Sequence, residues 1–166
     1  AYFDCFSGIA GDMILGALVD VGLDVEVLKK ELQKLNVPEY KIQTQKITYN
    51  NISGTDVNVK IQETHTHRHL SEINSIIEES KLDKEIKSLS IKIFYNLAKA
   101  ESKVHGIPIE DVHFHEVGAV DAIVDIVGSV IGVKKLGIKK IYCSPLPMGK
   151  GFVDCAHGIL PLPAPA

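Results

Sequence analysis

The chain has 166 residues, with 18 lysines and arginines against 21 acidic residues and a formal net charge of −3 at pH 7. That length supports one domain with a self-sufficient core, and lysines scattered among glutamates form no basic stripe, which sets nucleic-acid binding aside. Cys5, Cys143 and Cys155 are odd in number and far apart, so no disulfide framework or zinc ribbon is expected, and a reducing cytoplasm suits them.

The chain opens without a basic or apolar leader, and the longest apolar stretch, 119–133, is broken by Asp121 and Asp125 and too short to span a bilayer. No membrane contact is expected, and the location is read as cytoplasmic.

Residues 2–5 read as a buried strand feeding the turn Phe6-Ser7-Gly8-Ile9-Ala10-Gly11-Asp12. A helix follows with Ile14, Ala17, Leu18 and Val21 on one face. Asp24 is placed to cap a second helix, which buries Val27, Leu28, Leu32 and Leu35 before Pro38 ends it. Between 41 and 61 apolar residues alternate (Ile42, Ile47 and Tyr49, then Val57, Val59 and Ile61). That pattern predicts a β-hairpin turning at Asn50-Asn51 or at Ser53-Gly54.

A helix carrying Leu70, Ile73, Ile76 and Ile77 comes next, then a longer one started by Asp83. The longer helix aligns Ile86, Leu89, Ile93, Leu97, Ala100 and Val104 and ends at Gly106 and Pro108. The run 117–136 is apolar on most sides and predicts a buried helix with room for a subunit interface. Along it Asp121, Asp125, Gly128 and Gly132 form one stripe, a face built to be approached. A strand at 140–143 follows, then a second glycine-bearing segment up to Gly158. The run 161–166 reads as the approach to a helix or linker. The expected fold is a single α/β or α+β domain, a small mixed sheet with a β-hairpin packed by about five helices.

Five of the seven histidines fall in two clusters, His65-Thr66-His67-Arg68-His69 and His113-Phe114-His115-Glu116. Imidazole is the commonest protein ligand for nickel, zinc, copper and iron, and in extended chain a spacing of two sends side chains to the same side. Asp121 and Asp125 sit one helical turn apart on an otherwise apolar helix, where ionised carboxylates need a cation or hydrogen-bond partners. Arg68 is the sole arginine, suited to clamp a phosphate or carboxylate. The turn holding Ser7, Gly8 and Gly11 follows a strand and opens a helix, the placement of a phosphate cradle, although it lacks a Walker or dinucleotide fingerprint. Asp12 at its end is a candidate base, cation ligand or helix cap.

Several motifs, taken together, resemble a known family. They are Phe3-Asp4-Cys5-Phe6-Ser7-Gly8-Ile9-Ala10-Gly11-Asp12-Met13, the His-x-His-Arg run before Leu70-Ser71-Glu72-Ile73, and Val112-His113-Phe114-His115-Glu116-Val117-Gly118-Ala119-Val120-Asp121. Further along stand Ser144-Pro145-Leu146-Pro147 and Ala156-His157-Gly158-Ile159-Leu160-Pro161 with Pro163-Ala164-Pro165-Ala166. From one end of the chain to the other these resemble the nickel-insertion protein of nickel-pincer cofactor biosynthesis, the LarC family.

The resemblance implies an enzyme, a lyase-class nickel chelatase or cyclometallase. It would insert nickel into pyridinium-3,5-bisthiocarboxylic acid mononucleotide, forming nickel–carbon and nickel–sulfur bonds, to make the cofactor of lactate racemase and its relatives. It implies dependence on CTP with manganese or magnesium, and a C-terminal CTP-binding domain absent from this chain, so that residues 1–166 match the N-terminal nickel-insertion domain. Where relatives tend to carry successive histidines, Thr66 intervenes.

Residue chemistry and resemblance together make His65, His67, His69, His113, His115 and Asp125 the expected nickel ligands. Glu116, Asp121 and Asp12 are the expected candidates for the base that takes the ring proton. Ser7, Gly8, Gly11 and Arg68 are expected to receive the mononucleotide's phosphate. Two other readings fit the histidines: a metal-dependent hydrolase of amidohydrolase or PHP type, and a non-catalytic nickel storage or delivery module. A homo-oligomer is compatible with either.

Overall fold

The computed structural model describes residues 1–38, 40–61, 68–114, 118–155 and 158–163. In chain order it carries β1 (Tyr2–Phe3), α1 (Gly11–Asp20), α2 (Val25–Leu32), β2 (Tyr40–Tyr49), β3 (Ile52–Ile61), β4 (Arg68–His69), α3 (Leu70–Glu79) and α4 (Lys84–His105). After a 3₁₀ turn (Ile109–Asp111) come β5 (His113–Phe114), α5 (Val120–Lys135), β6 (Tyr142–Cys143), β7 (Phe152–Cys155) and β8 (Gly158–Pro161).

Local chemistry sets many of these ends. Asp24 caps α2, its Oδ1 accepting from the amides of Glu26 at 2.7 Å and Val27 at 3.4 Å. Asp83 caps α4 through the amide of Glu85 at 2.9 Å. Gly106 closes α4 in the left-handed conformation, φ 66°. The hairpin turns at Asn50 and Asn51, both at positive φ (48° and 64°), which matches the twist of the flanking strands, and the ladder runs from Tyr49 opposite Ile52 to Tyr40 opposite Ile61.

The mixed α/β character is as expected, but the strands form no single mixed sheet. Among the described residues there are four two-stranded sheets: β1 with β6, parallel; and β2 with β3, β4 with β5, and β7 with β8, all antiparallel. The first strand is short and Tyr2 lies in solvent, so it is not the buried strand the apolar run suggested; only Cys5 beyond it is buried. The β7–β8 hairpin occupies the stretch read as a second glycine-bearing segment; of the run 161–166 read as a helix approach or linker, Pro161 ends β8 and 164–166 lie outside the described residues.

A single core gathers around α5, whose buried residues include Val120, Ile123, Val124, Val127, Val130 and Ile131. Packed against it are α1, α2, α4 and β3. Glycine makes the closest of these contacts possible. A Cβ at Gly132 would stand 2.8 Å from Leu18 Cδ1 and 3.0 Å from Leu23 Cδ2, and one at Gly128 3.1 Å from Leu15 Cδ2. The glycine half of the stripe is thus approached by α1 and α2 rather than by a ligand.

On the other side of α1, a Cβ at Gly16 would stand 2.2 Å from the Thr55 carbonyl oxygen, so helix and hairpin touch backbone to backbone. Asp20 fastens the same junction, accepting from the Thr55 amide at 2.8 Å and the Thr55 hydroxyl at 2.6 Å and pairing with Lys46. The Lys46 and Thr55 bonds hold its carboxyl down at about 2. Glu31 on α2 bridges Lys34 at 2.6 Å and Lys135 of α5 at 2.9 Å.

Three helical faces differ from expectation. In α1 Leu15, Gly16 and Leu18 are buried, whereas Ala17 and Val21 are exposed. In α4 the buried line is Ile86, Ser90, Phe94 and Ala98, while Leu89 and Val104 face solvent. Val27 of α2 is also exposed. Each helix is apolar on more than one side, and tertiary packing selected the face.

Candidate functional site

The two histidine clusters meet across a two-residue antiparallel ladder, Arg68 opposite Phe114 and His69 opposite His113. Strand alternation then sorts the side chains. Arg68 and Phe114 point inward and are buried, and Phe114 packs edge-on against Phe94 with ring centroids 6.3 Å apart. His69 and His113 share the outer, exposed face, with ring centroids 5.8 Å apart. The His69 backbone is held in turn, because its amide donates to the Glu72 carboxylate at 2.7 Å as α3 begins. His113 Nδ1 lies 3.4 Å from the Asp111 carbonyl oxygen.

Buried Arg68 ties this ladder to α5. Its Nη1 donates to the Gly118 carbonyl oxygen at 2.6 Å, two residues before the helix begins. A Cβ on Gly118 would stand 2.9 Å from both the Arg68 amide nitrogen and the Phe114 carbonyl oxygen, so only glycine fits there. Sequence reasoning gave Gly118 no role. The signal available was a glycine standing between the second histidine cluster and the acidic helix.

The acid stripe begins just beyond. Asp121 and Asp125 lie one turn apart, about 6 Å along the axis. Asp125 is packed against the start of α1: a Cβ at Gly11 would come within 2.6 Å of Asp125 Oδ2. Its Oδ1 is buried and, among the described residues, without a hydrogen-bond partner. Burial pushes this carboxyl up to about 6, helped by the charges of Asp12 and Asp121. Asp121 Oδ1 accepts from the Ala122 amide at 2.8 Å.

Asp12 is not the helix cap, since Ala10 takes that position. Its Oδ1 accepts from the Met13 amide at 2.7 Å. In the glycine turn the Gly8 amide is already donated to the Cys5 carbonyl at 2.9 Å, and Gly8 sits at φ 98°. The Cys5 amide is held by Ser144 Oγ at 2.8 Å. Ser7 is exposed.

The structure therefore brings His69 to His113, and Asp125 to Asp12, Asp121 and Gly11, and it anchors both groups to the first turns of α5. His65, His67, His115 and Glu116 lie outside the described residues. Among the described residues no group of three or more His, Cys, Asp or Glu side chains is placed to hold a metal ion. Arg68, expected as an anion clamp, is seen spending Nη1 on a backbone carbonyl in a buried position. Cys5 and Cys143 are free thiols, Cys5 buried and Cys143 exposed.

A family model described as "Nickel insertion protein" matches residues 1–166, the whole chain. This chain belongs to that family. It is 57% identical over 166 residues to the pyridinium-3,5-bisthiocarboxylic acid mononucleotide nickel insertion protein of Desulfitobacterium hafniense, covering 100% of this chain and 41% of that protein. It is 52% identical over 174 residues to the protein of the same name from Acetivibrio thermocellus (99% of this chain, 43% of that one). A third, from Geobacillus kaustophilus, is 49% identical over 175 residues with the same two shares. The chain thus spans about two fifths of the length of these curated relatives. No solved structure matches it. Among the described residues no helix is long and apolar enough to cross a membrane.

Proposed function

We propose that this chain is the nickel-handling part of an enzyme that inserts nickel into pyridinium-3,5-bisthiocarboxylic acid mononucleotide, the reaction named for its relatives. The observation that carries the reading is the common anchorage on α5. The paired rings of His69 and His113 are tied through Arg68 to Gly118, and the acid stripe follows within two helical turns.

Nickel is the cargo here. Exposed imidazoles are exchangeable ligands for a borderline divalent ion, and we assign His65, His67, His69, His113 and His115 to receive or relay it. Forming a nickel–carbon bond to the pyridinium ring releases a ring proton, which needs a base. Asp125 suits that task best among the described acids, because a carboxyl raised to about 6 is ionised at neutral pH yet more basic than an ordinary carboxylate. Asp121, Asp12 and Glu116 remain candidates, and Asp125 serves alternatively as the oxygen ligand that completes the nickel site.

The mononucleotide's phosphate is assigned to the turn of Ser7, Gly8 and Gly11 at the start of α1. With Asp12, Asp121 and Asp125 alongside, a phosphate is repelled unless a cation accompanies it. Arg68 acts as a positioning residue for the histidine ladder. CTP, with manganese or magnesium, is assigned to the part of the enzyme outside this chain, which is the C-terminal partner. The free cysteines fit a reducing cytoplasm.

Calorimetric nickel titration of the chain and of its Asp121→Ala variant tests the reading. A tight site weakened about ten-fold or more by the substitution supports a built active site. Several weak, nearly equal sites that ignore it indicate a storage module instead.

A further inference from the structure

The β1–β6 pair is unusual in being both parallel and alone. Parallel strands ordinarily lie inside larger sheets covered on both faces, and a two-stranded sheet is marginal in water. Here each strand contributes two residues, and among the described residues neither has a second neighbour. Tyr2 and Tyr142 are 65% and 61% exposed, and Ile141, immediately before β6, and Phe6, three residues beyond β1, are 53% and 81% exposed.

We infer that the open β1–β6 sheet, with Ile141 and Phe6 at its ends, is the docking surface for the remaining polypeptide of the full-length proteins of this family, which adds a parallel apolar strand to it. Three things select this occupant. The relatives carry more than half their length outside the matched region, so that much polypeptide needs a seat. A strand added in parallel order continues the sheet in its existing sense. A second copy of this chain, related by a two-fold axis, would instead present the same strand antiparallel.

The docking inference rests on family membership and on the open sheet, not on nickel chemistry, so its failure and that of the nickel reading are told apart by different measurements.

Amide hydrogen exchange is compared between this chain and the intact Desulfitobacterium hafniense relative. Amides aligned with residues 2–3 and 142–143 are expected to exchange at least about ten-fold more slowly in the intact relative, while those aligned with the hairpin tip 49–52 exchange alike in both. Asp placed in the intact relative at the position aligned with Tyr142 is expected to restore fast exchange at both strands and leave the α5 amides protected. Equal exchange at the strands, or slowing at the hairpin tip alone, overturns the inference. A dimer of this chain in sedimentation with those strands protected assigns the face to a second copy and overturns it equally.

Discussion

One face of α5 meets α1 along its length, yet its two halves do opposite things. Toward the C-terminal end, Gly128 and Gly132 draw Leu15, Leu18 and Leu23 into close contact, which removes apolar surface from water and fills space efficiently. Toward the N-terminal end the same face carries Asp121 and Asp125 against Gly11 and Asp12, with Asp125 Oδ1 buried and, among the described residues, without a partner. The first half holds the domain together. The second half costs stability, and such a gathering of like charge marks a functional site more often than a structural one.

The packed half breaks first. Gly132→Val places a side chain where even a Cβ is 2.8 Å from Leu18, and overpacking of that kind destabilises by about 3 kcal/mol. Urea unfolding shows it as a lowered midpoint with an unchanged slope.

The acidic half responds with the opposite sign. The Asp125 carboxyl is raised from 3.8 to about 6, so the folded state prefers it protonated. Stability from this group is greatest below about pH 4, is lost as pH rises through about 6, and stays lost above that. After discounting for partial exposure, Asp125→Asn stabilises the chain by about 1 kcal/mol at pH 7.5 and by almost nothing at pH 4. Paired denaturation curves at the two pH values check this. The same substitution is expected to abolish cofactor maturation in the full-length enzyme.

Asp20 supplies the smallest effect and a third sign test. Its carboxyl is held at about 2 by Lys46 and Thr55, so its contribution is present above about pH 4 and disappears as pH falls toward 2. Asp20→Asn costs about 0.5 to 1 kcal/mol at pH 7, a modest value because the pair is partly exposed. Thermal midpoints at pH 7 and pH 2.5 measure the difference.

What was legible in the sequence was mostly what local chemistry determines. Asp24 and Asp83 announce helix starts, Gly106 a helix end, and Asn50-Asn51, one of two turn positions the hairpin pattern allowed, is where the chain reverses, because each acts on its own neighbours. The face of α4 was read one step away from Phe94 and Ala98, since Leu89 and Val104 fit a helical stripe equally well and only the packed α5 decides between them. Strands were read at 2–5 and 140–143, but ladders of two residues carry no pattern that says which strand pairs with which, so the β1–β6 and β4–β5 pairings were invisible, and with them the meeting of His69 with His113.

The stripe on α5 was read as a face built to be approached, and leucines of the same chain do approach its glycines. Which elements make that approach is set by tertiary packing, which a helical spacing does not encode. Gly118 shows the same limit: nothing local says that the Arg68 guanidinium donates through Nη1 to its carbonyl and holds the turn before α5.

The central claim is that the two histidine clusters form one nickel site at the head of α5, and a double-mutant cycle on nickel affinity tests it most directly. Calorimetric titrations of the unsubstituted chain, His69→Ala, His113→Ala and the double variant are compared. Each single substitution is expected to weaken the tight site about ten-fold or more, and the double to add little beyond the larger single effect, because ligands of one ion are coupled. Independent, additive losses, or a nickel affinity unchanged in all four, would contradict it.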